Sequence, residues 1–391
     1  MKKIGLFLGT ASSNGGMFQY SQAILDAVAS LPREKFSVVV AYVSSQWKSY
    51  LEKYSLASFH LGKAGAKYSF SNVWRVTGLP VGMWRAASPY FNTVAGSLVR
   101  ARCNLWIFPA QDSWSFMAPV PSLVSIHDLM HRYERGFPEV SAHGAYFRRE
   151  RLFRNISRWA KGIIVDSRVG KLHVHESYQV PLERIFELPY IPPGYIYETG
   201  IAGDFSEKYQ LPGKFIFYPA QFWEHKNHAR LVEAVAKVKT RHPDIFLVLA
   251  GARNNAYDEI TRKVKTLELS ENVIFLGHVP DHDMPELYRR ACAMVMPTFF
   301  GPTNIPPLEA FALGCPVAVS NIYGMPEQAG DAALLFNPNS ADEIAGCIER
   351  LWSDDSLRAS LIAKGRAHAT AWGQKQFNQT FLAIVEASTA C

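Results

Sequence analysis

Twice along this chain, short apolar runs alternate with stretches of helical spacing, and that alternation restricts the fold more than any other feature. In the first half, "KKIGLFLG" (2–9) ends in the loop "TASSNGGM". "FQYSQAILDAVASL" follows with apolar residues three and four apart, and "FSVVVAYV" returns to an unbroken run. "CNLWIFP", "PSLVSIHD" and "KGIIVDS" continue the series. In the second half the short runs are "KFIFYPA", "DIFLVLAG", "NVIFLGHV", "CAMVMPT" and "CPVAVS"; "HARLVEAVAKVKTRH" and "PLEAFALG" have helical spacing. Strands this short and this apolar, separated by helices, belong to parallel sheets covered on both faces. At 391 residues the chain is long for one core and suited to two. The expected fold is therefore α/β, with two Rossmann-like domains.

Between the halves lies "ELPYIPPGYIYETGIAGDF" (187–205), with three prolines and three glycines. A domain boundary falls naturally in such a stretch. The expected division is an N-terminal domain at 1–190, a linker at 191–205 and a C-terminal domain at 206–370. The last residues, 371–391, contain the helical "FNQTFLAIVEAS" and are expected to cross back to the N-terminal domain.

Charge is uneven. The chain carries +7 overall, but residues 1–195 hold 23 Lys/Arg against 12 Asp/Glu, while residues 196–391 hold 18 against 22. The bias is sharpest between Lys53 and Asn104, where there is no acid at all. Lys63, Lys67, Arg75, Arg85, Arg100 and Arg102 are interleaved there with Tyr68, Phe70, Trp74, Trp84, Tyr90 and Phe91. Such a mixture suits an anionic membrane surface. The alternative is an ordinary basic surface with its aromatics packed inward. No nucleic-acid partner is expected, since the bias is confined to one half and no nucleic-acid motif accompanies it. No apolar run reaches the roughly 18 residues of a membrane span. The N-terminal "MKKIGLFLGTASSNGG" continues as strand and loop rather than as a signal peptide. A cytoplasmic protein, peripheral at the inner face of the membrane, is the expectation. The five cysteines are scattered without a C-x-x-C pair, which signals neither a zinc site nor a disulfide framework.

Four places have the residue types of a site. Gly15 and Gly16 fall between a strand and a helix, where backbone N–H groups meet an anion or a sugar; a plain tight turn accounts for them equally well. His127 and Asp128 end an apolar strand, at the edge where open α/β sheets bind ligands. The imidazole suits a sugar hydroxyl or a developing charge there, and a structural hydrogen bond is the competing reading. His131 lies four residues on, but no third ligand is near and no metal is expected. Lys226 lies in a loop between a strand and a helix, well placed for a diphosphate. Lastly, in "FFGPTNIPPLEAFALGCPVAVS" (299–320), Pro306 and Pro307 pre-set a helix start. Thr303, Asn304 and Ile305 then offer backbone N–H groups to an anion, and Glu309 lies one turn inside, where a carboxylate accepts from vicinal hydroxyls. A Glu favoured simply by the helix dipole is the plainer alternative.

With these places marked, the chain resembles the GT-B retaining glycosyltransferases of family 4 over nearly its whole length. The resemblance is strongest in "GPTNIPPLEAFALGCPVAVS", which looks like the family's E-x7-E segment. "IFYPAQFWEHKNHARLVEA", "LVLAG", "VIFLGHVPDHDMPELYRRA" and "FPEVS…RIFELPYIPPGYI" are similar to accompanying blocks. The resemblance implies two domains whose parallel sheets face each other across a cleft. It implies that Glu309 binds the nucleotide ribose, Lys226 the donor diphosphate and Val279 the base through its backbone. It also puts Gly16 in the front-domain glycine loop and His127 near the transferred sugar. Gly251 and Arg253, in "LAGAR", fall in the donor half. Two positions depart from the pattern: Gly301 stands where the first glutamate is expected, and Gln221 where an arginine is. Thr303, Asn304 and Arg253 are the residues expected to compensate.

The implied reaction is transfer of a hexose, mannose- or rhamnose-type and GDP-linked, to a lipid-linked bacterial surface glycan, with no metal or other cofactor. A non-catalytic nucleotide- or glycan-binding protein on the same fold is the alternative.

Overall fold

The computed structural model describes residues 1–11, 15–62, 80–198 and 205–390. Two compact units divide the chain: Met1–Arg132 with Gly144–Pro189 and the C-terminal helix Gln374–Ala390 in unit 1, and Tyr133–His143 with Tyr190–Gly373 in unit 2.

Unit 1 is built on a seven-stranded, all-parallel sheet. Its strands are β1 (Lys2–Leu8), β2 (Phe36–Tyr42), β3 (Ala57–His60), β4 (Leu105–Phe108), β5 (Ser122–Ser125), β6 (Gly162–Val165) and β7 (Ile185–Glu187). The order across the sheet is β3-β2-β1-β4-β5-β6-β7. The central strands β4, β5 and β6 are buried at every position, which explains why they are apolar without alternation. Helices α1 (Gly16–Ala29), α2 (Val81–Phe91), α3 (Thr93–Arg100), α4 (Ala145–Trp159) and α5 (Arg168–Tyr178) cover it. The C-terminal helix Gln374–Ala390 packs on α1, with Phe377 against Tyr20 and Lys35 paired to Glu386.

In unit 2, β8 (Ile216–Pro219), β9 (Leu247–Ala250), β10 (Val273–Gly277), β11 (Ala293–Met296), β12 (Val317–Ser320) and β13 (Ala333–Phe336) form a second parallel sheet in the order β10-β9-β8-β11-β12-β13. Around it lie α6 (His228–Lys239), α7 (Tyr257–Thr266), α8 (Pro306–Leu313), α9 (Ala341–Ser353) and α10 (Asp355–Ala371). Both sheets therefore reverse their winding once, between β1 and β4 and between β8 and β11. Ligands of open parallel sheets bind at such reversals, outside the carboxyl ends of the strands.

One expected boundary is corrected. Tyr133–His143 was expected in the N-terminal domain but clusters with unit 2. Its anchors are local: Glu139 meets His225, Tyr323 donates to Glu134, and Phe137 packs on Phe299.

The basic, aromatic stretch is also resolved in part. Lys63, Lys67, Tyr68, Phe70, Trp74 and Arg75 lie outside the described residues. Beyond them, Trp84 is buried, and the Arg85 guanidinium turns inward to the carbonyls of Phe116 and Ala118 at 2.7 and 2.8 Å. Those two residues serve the interior, not a surface. Met83 and Tyr90 remain exposed. Among the described residues no helix is long and apolar enough to cross a membrane.

A close approach holds the middle of the first sheet. Gly5 in β1 stands beside Trp106 in β4, and a Cβ on Gly5 would lie 2.4 Å from the indole. Trp106 is fully buried and donates to the Leu98 carbonyl at 3.3 Å. Gly5→Ala overpacks this contact and should destabilise unit 1 by about 1–3 kcal/mol. A lowered denaturation midpoint would show it; an unchanged midpoint would mean that the indole shifts freely.

Candidate functional site

At the reversal in unit 2, the loop after β8 runs 220–227 and the loop after β11 runs 297–305. Lys226 comes from the first and Asn304 from the second, and their side chains meet, Nζ to Oδ1 at 3.3 Å. Several contacts fix the first loop. Asn227 adopts the left-handed conformation (φ 59°), and its buried amide donates to the carbonyls of Pro297 and Pro338 at 2.8 Å each. The Tyr218 hydroxyl donates to the Lys226 carbonyl at 2.9 Å. His228, the first residue of α6, stacks on Phe222, and burial presses its imidazole down to about 3, so it is neutral.

The second loop is held just as firmly. Asn304 is buried and its main chain is clamped by one side chain: its N–H donates to Gln328 Oε1 at 3.0 Å, and its carbonyl accepts from Gln328 Nε2 at 2.8 Å. This corrects the expectation that the Asn304 N–H faces an anion. The prolines do open α8 as expected, at its first two positions, with Ile305 as the preceding residue. Gly301 has φ 137°, and a Cβ there would lie 2.4 Å from Asn304 Nδ2. A side chain at 301 and Asn304 in its present place are mutually exclusive.

Glu309 differs most from expectation. It is buried, and both carboxylate oxygens are taken: Oε1 accepts from the Tyr195 hydroxyl at 2.6 Å, and Oε2 accepts from the Tyr288 hydroxyl. Burial raises its pKa, and the two hydroxyls offset part of that rise.

The other donor-half residues surround the same strand ends. Gln221, where an arginine was expected, accepts through Oε1 from Trp223 Nε1 at 2.9 Å and from Asn254 Nδ2 at 3.2 Å. Gly251 follows β9 with φ 154°, and a Cβ there would lie 2.2 Å from the Ala220 carbonyl oxygen, so the β8 and β9 loops touch only because residue 251 is glycine. Arg253 is exposed and lies over the Tyr257 ring at 4.5 Å. Val279, after β10, is buried. Thr303 precedes Asn304 in the turn.

Two residues of this site escaped the sequence reading. Glu139 accepts from the His225 main-chain N–H at 3.1 Å, pairs with the His225 ring at 2.6 Å, and accepts from Asn255 at 3.2 Å. It thus ties the 133–143 segment to the loop that carries Lys226. Gln328 is the second. Neither lies in a recognisable spacing, because both act across long sequence separations.

In unit 1, a cavity of about 220 Å³ sits at the reversal, lined by Gly9, Thr10, Met17, Gln111, Asp112 and Arg149 among others. Gly15 precedes α1 with φ 54° and Gly16 is its first residue. His127 makes the structural hydrogen bond named as its alternative role, with Nε2 2.9 Å from the Pro109 carbonyl, and meets the Tyr20 ring edge-on. Burial lowers its pKa, so the ring is neutral. Asp128 pairs with Arg149 and caps the Met130 N–H. His131 is fully buried against Phe153, with Glu150 and Tyr178 at its Nε2. Among the described residues no group of three or more His, Cys, Asp or Glu is arranged to hold a metal.

Comparison with solved structures decides the architecture. Anabaena Alr3699/HepE, crystallised with UDP and glucose, superposes with a TM-score of 0.74 at 18% identity, covering 99% of this chain and 100% of that one. A TarM structure from S. aureus, a mutant crystallised with UDP among other ligands, gives 0.69 at 12% identity over 98% of this chain and 99% of that one. The fold is GT-B. Within this GT-B chain, residues 204–368 match the family model described as "Glycosyl transferases group 1". Curated relatives include O-antigen chain mannosyltransferase B of Escherichia coli, 34% identical over 44% of this chain and 44% of that protein. O-antigen chain mannosyltransferase RfbU of Salmonella typhimurium is 27% identical over 58% of this chain and 60% of that protein. The chain thus matches less than two thirds of either relative's length.

The Glu139–His225 pair gives a pH prediction. Burial opposes the charge on Glu139, but hydrogen bonds from the His225 ring and main chain outweigh it and hold the carboxyl at about 2, below its ordinary 4.5. A folded-state value below the unfolded one means that the stabilisation is complete above about pH 4.5 and is lost as pH falls toward 2. Thermal melts of wild type and Glu139→Gln should therefore differ at pH 6 and converge as pH drops below 4.5. A constant difference across that window would assign the contact no electrostatic role.

Proposed function

We propose that this chain is a retaining glycosyltransferase that moves a mannose- or rhamnose-type hexose from a GDP-linked donor to a lipid-linked surface glycan. The observation that carries the proposal is the Lys226–Asn304 contact at the sheet reversal of unit 2, in the part of the chain that matches the glycosyltransferase model. The names of the relatives, O-antigen mannosyltransferases, support the sugar and the product class. The UDP in HepE supports a nucleoside diphosphate donor in general.

In this reading Lys226 stabilises the negative charge that builds on the leaving diphosphate, and Asn304 keeps the ammonium aimed there. The bond from the anomeric carbon to the diphosphate oxygen breaks, and the acceptor oxygen bonds to that carbon on the same face. The acceptor proton passes to the departing diphosphate, which removes the need for a protein base, and with Lys226 on the diphosphate the reading calls for no metal or other cofactor. Arg253, at the end of β9, adds positive charge once it leaves Tyr257. The unit 1 cavity at the β1–β4 reversal receives the acceptor, and the chain works at the cytoplasmic face of the membrane.

A non-catalytic binding protein on the same fold is the second reading, and specific observations favour it: glycine at 301, glutamine at 221, and a Glu309 closed off by two tyrosines. Incubation with GDP-, UDP- and dTDP-sugars separates the readings, since transfer or donor hydrolysis supports the enzyme and binding without turnover the alternative. Lys226→Ala should weaken nucleoside diphosphate binding by roughly tenfold or more, the loss of a charge-assisted contact of about 1.5–3 kcal/mol. Asn304→Ala should lower turnover more than binding. Wild-type rates for Asn304→Ala would remove that residue from the mechanism.

A further inference from the structure

The geometry points to a second anion site in this protein, on unit 1, built to take a phosphate or diphosphate group. A cavity of about 460 Å³ opens beside the carboxyl half of α4, and four arginines line it: Arg132, Arg154, Arg158 and Arg184. No acid is among its lining residues. It shares none of them with the cavity at the β1–β4 reversal.

The four arginines come from three places in the sequence, Arg132, α4 and Arg184, so the fold gathers their charges at one cavity. Glu150 pins two of them: Arg132 donates to it through Nε at 2.9 Å and Nη2 at 2.6 Å, and Arg154 through Nη2 at 2.9 Å. Arg132 also lies over the Tyr178 ring at 4.4 Å. Arg184 is fastened to the end of α4 through the carbonyls of Ser157, Ala160 and Lys161. Arg158 rests against Trp159. The carboxylate paired with these groups is that of Glu150. Hydrogen bonds from Arg132 and Arg154 outweigh its burial and hold it below the ordinary glutamate range, and the four arginines that line the cavity outnumber it.

A second observation is independent of charge. Ser157 lines the same cavity and is 95% buried, and its hydroxyl has no hydrogen-bond partner. A buried hydroxyl without a partner costs free energy. A phosphate oxygen would satisfy it, and guanidinium forks match phosphate in shape as well as in charge. Helix capping accounts for Arg184, and the Glu150 pairing accounts for Arg132 and Arg154. Neither accounts for Arg158 lining the same hollow.

The phosphate could come free in solution or on a lipid headgroup, and one experiment distinguishes the sources. In a Lys226→Ala background, which removes the diphosphate contact of unit 2, the full chain is titrated with inorganic pyrophosphate and separately sedimented with phosphatidylcholine vesicles with and without phosphatidic acid. Arg154 and Arg158 are largely exposed, so R154Q/R158Q should fold normally. Saturable pyrophosphate binding weakened roughly tenfold or more by R154Q/R158Q, and untouched by R148Q/R151Q on the same helix, establishes a site for soluble phosphate. The same dependence seen only with phosphatidic acid vesicles establishes a headgroup site. Equal losses from both double variants, or no loss from R154Q/R158Q with either probe, would overturn the proposal.

Discussion

Two hydrogen bonds from one amide hold the unit 2 site together. The Asn227 side chain spans from the carbonyl of Pro297, at the end of β11, to that of Pro338, beyond β13, while its own backbone takes the left-handed turn that starts α6. Few residues can do both. Glycine could make the turn and would lose the bonds, and most other side chains would resist the turn. Because Asn227 is buried, both carbonyls would be left without partners if it were removed. Lys226 is its neighbour, so the direction of the ammonium group follows from how this amide is placed. The Lys226–Asn304 contact is thus a consequence of packing beneath the site.

Glu309 shows the opposite economy. A buried carboxylate is costly unless it is well hydrogen-bonded, and here two tyrosine hydroxyls meet it. Those hydroxyls come from separate elements, Tyr288 from the segment before β11 and Tyr195 from the stretch that leaves β7. The acid therefore fastens 194–197 onto α8 as firmly as it could fasten a ribose. If Tyr195 stays, Glu309 is structural; if a diol displaces it, the same carboxylate keeps its partner count and exchanges one hydroxyl for another. The second course costs little in hydrogen bonds, because a phenol and a sugar hydroxyl are equivalent donors to the same lone pair. It does require the 194–197 turn to move.

Much of the fold was legible because buried parallel strands have to be apolar throughout. All ten strands read from the sequence are present, and the three that were missed, β3, β7 and β13, lie at or beside sheet edges. Edge strands are short and half-exposed, so burial does not write itself into their residues; "ASFH" is exposed or nearly so at every position. The strand-to-helix loops carrying Gly15, Lys226 and Asn304 were legible for a related reason: a parallel sheet brings the loops that follow its strands to one edge. What stayed hidden depends on pairs far apart in sequence. Nothing in "FPEVS" announces that Glu139 will meet His225, and nothing near Glu309 announces Tyr195. The basic stretch misled in part because charge alone does not tell a solvent-facing arginine from one, like Arg85, spent on interior carbonyls.

Where the positive charge of the first half ends up is therefore a matter of structure. Arg85 is consumed inside, while α4 carries Arg148, Arg149, Arg151, Arg154 and Arg158 with only Glu150 among them. A helix so loaded would repel itself if its charges stood alone. Glu150 lies at the centre, accepting from Arg132 and Arg154, and Arg149 is drawn off to Asp128. These pairings relieve the helix without neutralising it. Part of the surplus, Arg154 and Arg158 with Arg132 and Arg184, lines one cavity together with Ser157, whose buried hydroxyl has no hydrogen-bond partner. Evenly spread surface charge would need no such arrangement of braces, and the concentration of arginines in one hollow is the part of the charge excess that solubility does not explain.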